Sequence, residues 1–163
     1  EFKVYAQQVV KNAAALAKRL VELGYTLISG GTENHLVLLD VRPQGITGSK
    51  AEKVFELASI TLNKNAVVGD VSALQPGGVR IGAPALTSRG FAEADFVQVA
   101  DLIDEGIKIA VKIQEKTGKA LKDFLPALEG NEDIAALKAK SEKLATSKPM
   151  PGFDTANMKY NTL

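Results

Sequence analysis

Apolar residues recur along the chain with two periods. From Tyr5 to Leu23 the positions Tyr5, Val9, Ala13, Leu16, Leu20 and Leu23 follow at steps of three and four, one stripe of an amphipathic helix. Gly24 stands where a helix-terminating glycine belongs. Tyr25 to Ile28 reads as a short strand, Gly30-Gly31 as a turn and Leu36 to Val41 as a buried second strand. Ser49-Lys50-Ala51-Glu52 fits a capping box opening a helix to about Ile60, which should bury Ala51, Val54, Leu57 and Ala58. The stretch from Thr61 to Gly78 is rich in Asn, Gly, Asp, Ser and Pro and is expected to be mostly loop, with Ala66-Val67-Val68 pairing briefly with a sheet edge.

Val79-Arg80-Ile81 reads as a strand, and its period of two places Val79 and Ile81 on one face and Gly78, Arg80 and Gly82 on the other. After Pro84, the positions Phe96, Val99, Ile103, Ile107, Ala110 and Val111 mark a long helix. A shorter amphipathic piece spans Leu121 to Leu128. Asn131 then caps a last helix, with Glu132 and Asp133 in its positive first turn and Ile134, Leu137 and Leu144 buried. Pro149 and Pro151 end helical structure, leaving an irregular tail from Gly152 to Leu163.

Composition narrows the field. With 163 residues, 45% apolar and 24% charged, the chain suits one packed domain. Twenty basic residues against nineteen acidic give a formal charge of +1, which argues against a nucleic-acid binder held by phosphate contacts. No apolar run approaches the about 20 residues of a membrane span. The absence of cysteine removes disulfides, thiolate metal sites and a cysteine nucleophile, and one histidine leaves zinc few ligands, so no metal site is expected. The opening Glu1-Phe2-Lys3-Val4-Tyr5 reads as the interior of something longer.

Among candidate chemical groups Arg80 stands out. A guanidinium on a strand between two glycines offers a planar fork of donors with space in front of it, and a carboxylate fits that fork with two parallel bonds. Each charge-assisted bond contributes roughly 1.5–3 kcal/mol, whereas an exposed pair with a surface acid is worth about 0–1 kcal/mol. His35, the one imidazole, sits where a turn enters a buried strand and has no nucleophile to serve. Neither Gly30-Gly31 nor Gly77-Gly78 makes a phosphate loop. Asn63-Lys64-Asn65 supplies amides able to read the edge of a heterocycle, or forms a plain turn. The acid-rich helix 95–105 and the mixed charges of 112–143 read as solvated faces.

Taken together, Ser29-Gly-Gly-Thr-Glu-Asn-His35, Asn63-Lys-Asn65, Gly69-Asp70, Pro76-Gly-Gly-Val-Arg80 and Gly82-Ala-Pro-Ala-Leu-Thr-Ser-Arg-Gly90 closely resemble the C-terminal part of serine hydroxymethyltransferases, pyridoxal-phosphate enzymes of fold type I. The Met158-Lys159-Tyr160 ending and the Gly69 to Gly78 run are similar to eukaryotic members. The resemblance implies an α+β small C-terminal domain, a small and mostly antiparallel sheet covered by helices, with residues 1–24 as a helix arriving from a larger domain and 25–163 as the small domain. It implies transfer of a one-carbon unit between serine and tetrahydrofolate, with Arg80 gripping the amino-acid carboxylate and Asn65 contacting the folate. It leaves His35 without an assigned step. Pyridoxal phosphate and the lysine that binds it would belong to the larger domain, so that no catalytic or cofactor-binding residue is expected in this chain, and the whole enzyme would be a homo-oligomer of the cytosol, mitochondrion or plastid. Glu33 and Ala83 depart mildly from the family's Asp and Thr. A threonine aldolase of the same fold type, or a noncatalytic α+β interaction module, remains the alternative; the Asn63 to Gly69 segment argues against the aldolase.

Overall fold

A computed structural model describes residues 1–72 and 75–152. The expected tail beyond Gly152, with its Met158-Lys159-Tyr160 ending, lies outside the described residues. Among the described residues six α-helices and four strands form a small α+β domain: α1 (Phe2–Glu22), β1 (Thr26–Leu27), β2 (Leu36–Asp40), α2 (Gly48–Leu57), β3 (Asn63–Asn65), β4 (Gly78–Gly82), α3 (Pro84–Ser88), α4 (Glu93–Thr117), α5 (Leu121–Phe124) and α6 (Glu132–Thr146). The sheet is antiparallel throughout in the order β1-β2-β4-β3.

The core forms where strand and helix periodicities meet. Val37 and Leu39 of β2 pair with Ile81 and Val79 of β4 and point to one side of the sheet, where all four are buried. Helix α1 covers β1 and β2 with Ala13, Leu16 and Leu20. Helix α2 covers β3 and β4 with Ala51, Val54 and Phe55, and α4 closes over both helices through Ile103, Ile107 and Ala110. Residues 1–24 therefore contribute to the same core as the rest. Helices α1 and α2 pack on this apolar side of the sheet, and Arg80 projects from the other.

Three expectations are corrected. The α2 cap is Thr47, whose hydroxyl accepts from the Lys50 amide at 3.4 Å; Ser49 is already inside the helix, and the Glu52 carboxylate is engaged with Lys64 instead. The helix ends at Leu57, which is exposed, while Phe55 takes the buried place. Pairing with the sheet edge is made by Asn63–Asn65, not by Ala66-Val67-Val68. Low strand propensity at those asparagines is overridden by tertiary contacts, because Glu52 and β4 hold both edges of this segment and the Val67 amide is drawn to Asp70. Asn131 caps α6 as expected, accepting from the Ile134 amide at 3.2 Å.

Polar groups tie the helices together. Asn12, fully buried on α1, donates to Thr87 Oγ1 at 2.8 Å and to the Phe91 carbonyl at 2.9 Å, which fixes α3 beside α1. Among the described residues the buried Lys50 has no carboxylate partner; its ammonium donates to Gln114 Oε1 at 2.7 Å and to the Gly118 carbonyl at 3.1 Å, over the Phe124 ring. Cations suit this end of α4, where carbonyls lack partners, although desolvation lowers the Lys50 pKa.

Gly106 lets α2 and α4 meet, since a Cβ built there would lie 2.3 Å from Cε1 of the fully buried Phe55 ring. In an open helix Gly→Ala would stabilise by roughly 0.5–1 kcal/mol; here overpacking wins. Gly106→Ala is expected to destabilise the fold by about 1–3 kcal/mol in equilibrium denaturation, and a stabilised variant would contradict this packing.

Candidate functional site

The side of the sheet without helices carries the candidate site. Because directly paired residues share a face, the pairing sets Leu38, Arg80 and Asn63 in one row, with Leu36 and Gly82 in the next row and Asp40, Gly78 and Asn65 in the row on the other side. Sequence periodicity anticipates the placement of Arg80 with Gly82. The space over Gly78 is filled, however: a Cβ there would meet Val67 Cγ1 at 2.5 Å, so the segment after β3 folds across this end of the face. Gly78 is buried, and the open ground lies on the Gly82 side of the guanidinium.

Arg80 is exposed, and its Nε donates to Asn63 Oδ1 at 3.2 Å. Among the described residues its two Nη groups make no hydrogen bond or ion pair, so a side-on bond orients the guanidinium while its outer edge stays available. Asn65, two residues along β3 from Asn63, lies on the same face, and its Nδ2 donates to the Ala66 carbonyl at 2.7 Å. Among the described residues its amide oxygen makes no hydrogen bond. His35 is exposed ahead of β2, where its backbone carbonyl accepts from the Ala83 amide at 2.8 Å. The structure thus brings Arg80, Asn63 and Asn65 together and leaves the imidazole at the sheet margin.

Two features frame the face. At the Gly82 end, a hollow of about 680 Å³ is lined by Ile28–Asn34 and by the half-buried Leu36 and Leu38. At the Gly78 end, Arg42 joins two aspartates. Its Nε donates to Asp40 at 3.0 Å and its terminal nitrogens reach Asp40 at 2.7 Å, Asp70 at 3.2 Å and the Val68 carbonyl at 3.0 Å. Asp70 also accepts from the amides of Val67 and Gly77, both at 2.8 Å. Only glycine fits at 77, where a Cβ would lie 2.4 Å from Arg42 Cδ. The Asn63 bond to Arg80 and the Arg42 cluster are not marked in the sequence; for Asn63 the one available signal is the i, i+2 spacing from Asn65.

These residues can receive an anion and an amide-bearing ring. They do not fit pyridoxal phosphate: the one lysine of β3 and β4, Lys64, pairs with Val79 and so faces away from Arg80, and among the described residues no glycine-rich phosphate cradle opens on this side. Among the described residues no cluster of His, Cys, Asp and Glu is arranged to hold a metal, and no helix is long and apolar enough to cross a membrane.

One face of the sheet thus carries an arginine fork beside two asparagines. The sequence profile described as "Serine hydroxymethyltransferase" matches residues 1–103. Serine hydroxymethyltransferase 4 of Arabidopsis thaliana is 55% identical over 98% of this chain and 34% of its own length. The chloroplastic serine hydroxymethyltransferase 3 of the same plant is 51% identical over 93% of this chain and 30% of its own, and the cytosolic enzyme of Oryctolagus cuniculus 49% identical over 94% and 33%. The chain belongs to the serine hydroxymethyltransferase family, and it spans about a third of the length of these relatives.

Electrostatics at the Arg42 cluster make a testable statement. Hydrogen bonds from the Arg42 side chain hold Asp40 below the ordinary carboxylate range, and the Gly77 and Val67 amides do the same for Asp70. Depressed folded-state pKa values contribute stability that is complete above the unfolded value of about 3.9 and is lost as the pH falls through the lower folded values. The melting temperature should therefore drop as pH is lowered from 6 to 3, and Asp70→Asn, less stable at pH 6, should lose less over the same interval. Parallel curves for the two proteins would show that Asp70 carries none of the acid sensitivity.

Proposed function

We propose that this chain is the C-terminal small domain of a serine hydroxymethyltransferase, which interconverts serine plus tetrahydrofolate with glycine plus methylenetetrahydrofolate. The observation that carries the reading is Arg80, exposed on the helix-free face with Nε engaged and both Nη groups unengaged among the described residues. Residues 1–24 form the helix leading in from the larger domain, and residues 25–163 the small domain itself. Pyridoxal phosphate, held by the larger domain, supplies the electron sink of this family's chemistry. The complete enzyme is a homo-oligomer. Its relatives' names include cytosolic, chloroplastic and mitochondrial enzymes, and any of these compartments suits this chain.

The chain's own contribution is orientation. Arg80 receives the carboxylate of serine or glycine in two parallel bonds, which fixes the rotation of the amino acid about its α-carbon and therefore which bond is presented for cleavage. Asn63 keeps the guanidinium turned outward. Asn65 presents an amide to the pteridine ring, and Asp70 holds the segment that follows β3 through the Val67 and Gly77 amides. The aldolase alternative has no use for an amide pair beside the fork.

In the full-length enzyme, Arg80→Lys should lower kcat/KM for serine by about 10- to 150-fold, the equivalent of one charge-assisted bond of 1.5–3 kcal/mol. A near-normal kcat/KM would refute the carboxylate role. Asn65→Ala should weaken folate-dependent serine cleavage more than the folate-independent cleavage of 3-hydroxy amino acids. Equal losses in both assays would remove Asn65 from the folate site.

A further inference from the structure

Strand β3 is three residues long and forms the edge of the sheet, paired only with β4. An edge strand this short, made of Asn-Lys-Asn, has little intrinsic tendency to stay in register. Its outer edge is nevertheless occupied. One carboxylate oxygen of Glu52 accepts from the backbone amide of Lys64 at 3.0 Å, and the other accepts from the Lys64 ammonium at 2.8 Å. Glu52 is carried by α2, whose N-terminus is itself pressed against β4: the Gly48 amide donates to the Pro76 carbonyl at 2.8 Å, and a Cβ at Gly48 would lie 2.1 Å from the Gly78 carbonyl oxygen. The residues on either side of Lys64 are the two asparagines of the site.

We propose that Glu52 is a positioning residue for both substrates: by gripping the Lys64 amide from outside the sheet it fixes the register of β3, and so aims Asn63 at Arg80 and Asn65 at the folate. This deepens the functional reading above and rests on it. The essential bond is the one to the backbone amide, because it acts on the main chain from which both asparagines project. The ammonium pair is half exposed, with the Lys64 side chain 44% accessible, and contributes less.

The experiment compares Glu52→Ala, Glu52→Gln and Lys64→Met in the full-length enzyme, by amide hydrogen exchange and by steady-state kinetics. Glu52→Ala should speed exchange of the Lys64 amide by about tenfold or more, the factor that accompanies loss of one hydrogen bond to a charged group, while amides of β2 and α4 keep their protection. KM for serine and for tetrahydrofolate should rise together by roughly three- to tenfold. Glu52→Gln, which keeps an acceptor for the amide, should restore most of both effects, and Lys64→Met should lose less than Glu52→Ala. Unchanged Lys64 exchange in Glu52→Ala overturns the proposal, as do faster exchange with both KM values unaltered and a loss in Lys64→Met equal to that in Glu52→Ala. Should Glu52→Ala not fold, the ordering of Glu52→Gln and Lys64→Met decides. Faster exchange together with a harmless Arg80→Lys would leave the strand anchor standing and remove the assigned substrate.

Discussion

Everything on the helix-free face depends on one close backbone approach, the meeting of the α2 N-terminus with the start of β4. Gly48 permits it, since a side chain there would collide with the Gly78 carbonyl, while the bare Gly78 leaves room for Val67 on the other face of the sheet. The contact is worth more than its own dispersion energy because of what it delivers. Once α2 is seated, Phe55 fills the space left by Gly106 on α4, and Glu52 stands beside the outer edge of β3. Packing on the apolar side thereby determines where polar groups stand on the other side.

That other side is divided by charge and shape. At one end Arg42, between Asp40 and Asp70, consumes its own cation in structure, tying β2 to the segment between β3 and β4. In the middle Arg80 keeps its outer edge unspent. At the far end Leu36, Leu38 and the Ser29 to Asn34 turn enclose a shallow hollow. The two arginines show how context sets the role of one side-chain type. A guanidinium that meets two carboxylates and a carbonyl becomes an internal joint, whereas one that meets a single neutral amide keeps its terminal nitrogens unengaged among the described residues.

The helices and the long strands are legible in the sequence because their apolar periods are strong and agree with their end signals: α1 ends before Gly24, α6 starts at Asn131, and β4 alternates around Arg80. Periodicity also places Arg80 on the polar side. What it does not show are the features made by tertiary contact. Asn63–Asn65 lacks strand propensity and becomes a strand because Glu52 and β4 hold it, and Glu52 reads as half of a capping box because its i−3 neighbour Ser49 mimics a cap. The buried Lys50 is equally hidden, since its partners Gln114 and Gly118 are more than sixty residues away. Motif resemblance identifies the family where physics alone stops at a fork for a carboxylate, and it assigns no work to His35, which the fold leaves exposed at the margin of the sheet.

The central claim is that Arg80 meets the substrate carboxylate with its outer nitrogens while Asn63 retains Nε. A high-resolution crystal structure of the full-length enzyme with glycine or serine bound tests it most directly. The account predicts both carboxylate oxygens within hydrogen-bond distance of the Arg80 Nη groups, with the Asn63 bond intact. A carboxylate held by other residues, with the Arg80 side chain turned to solvent or closed into an internal ion pair, would contradict it.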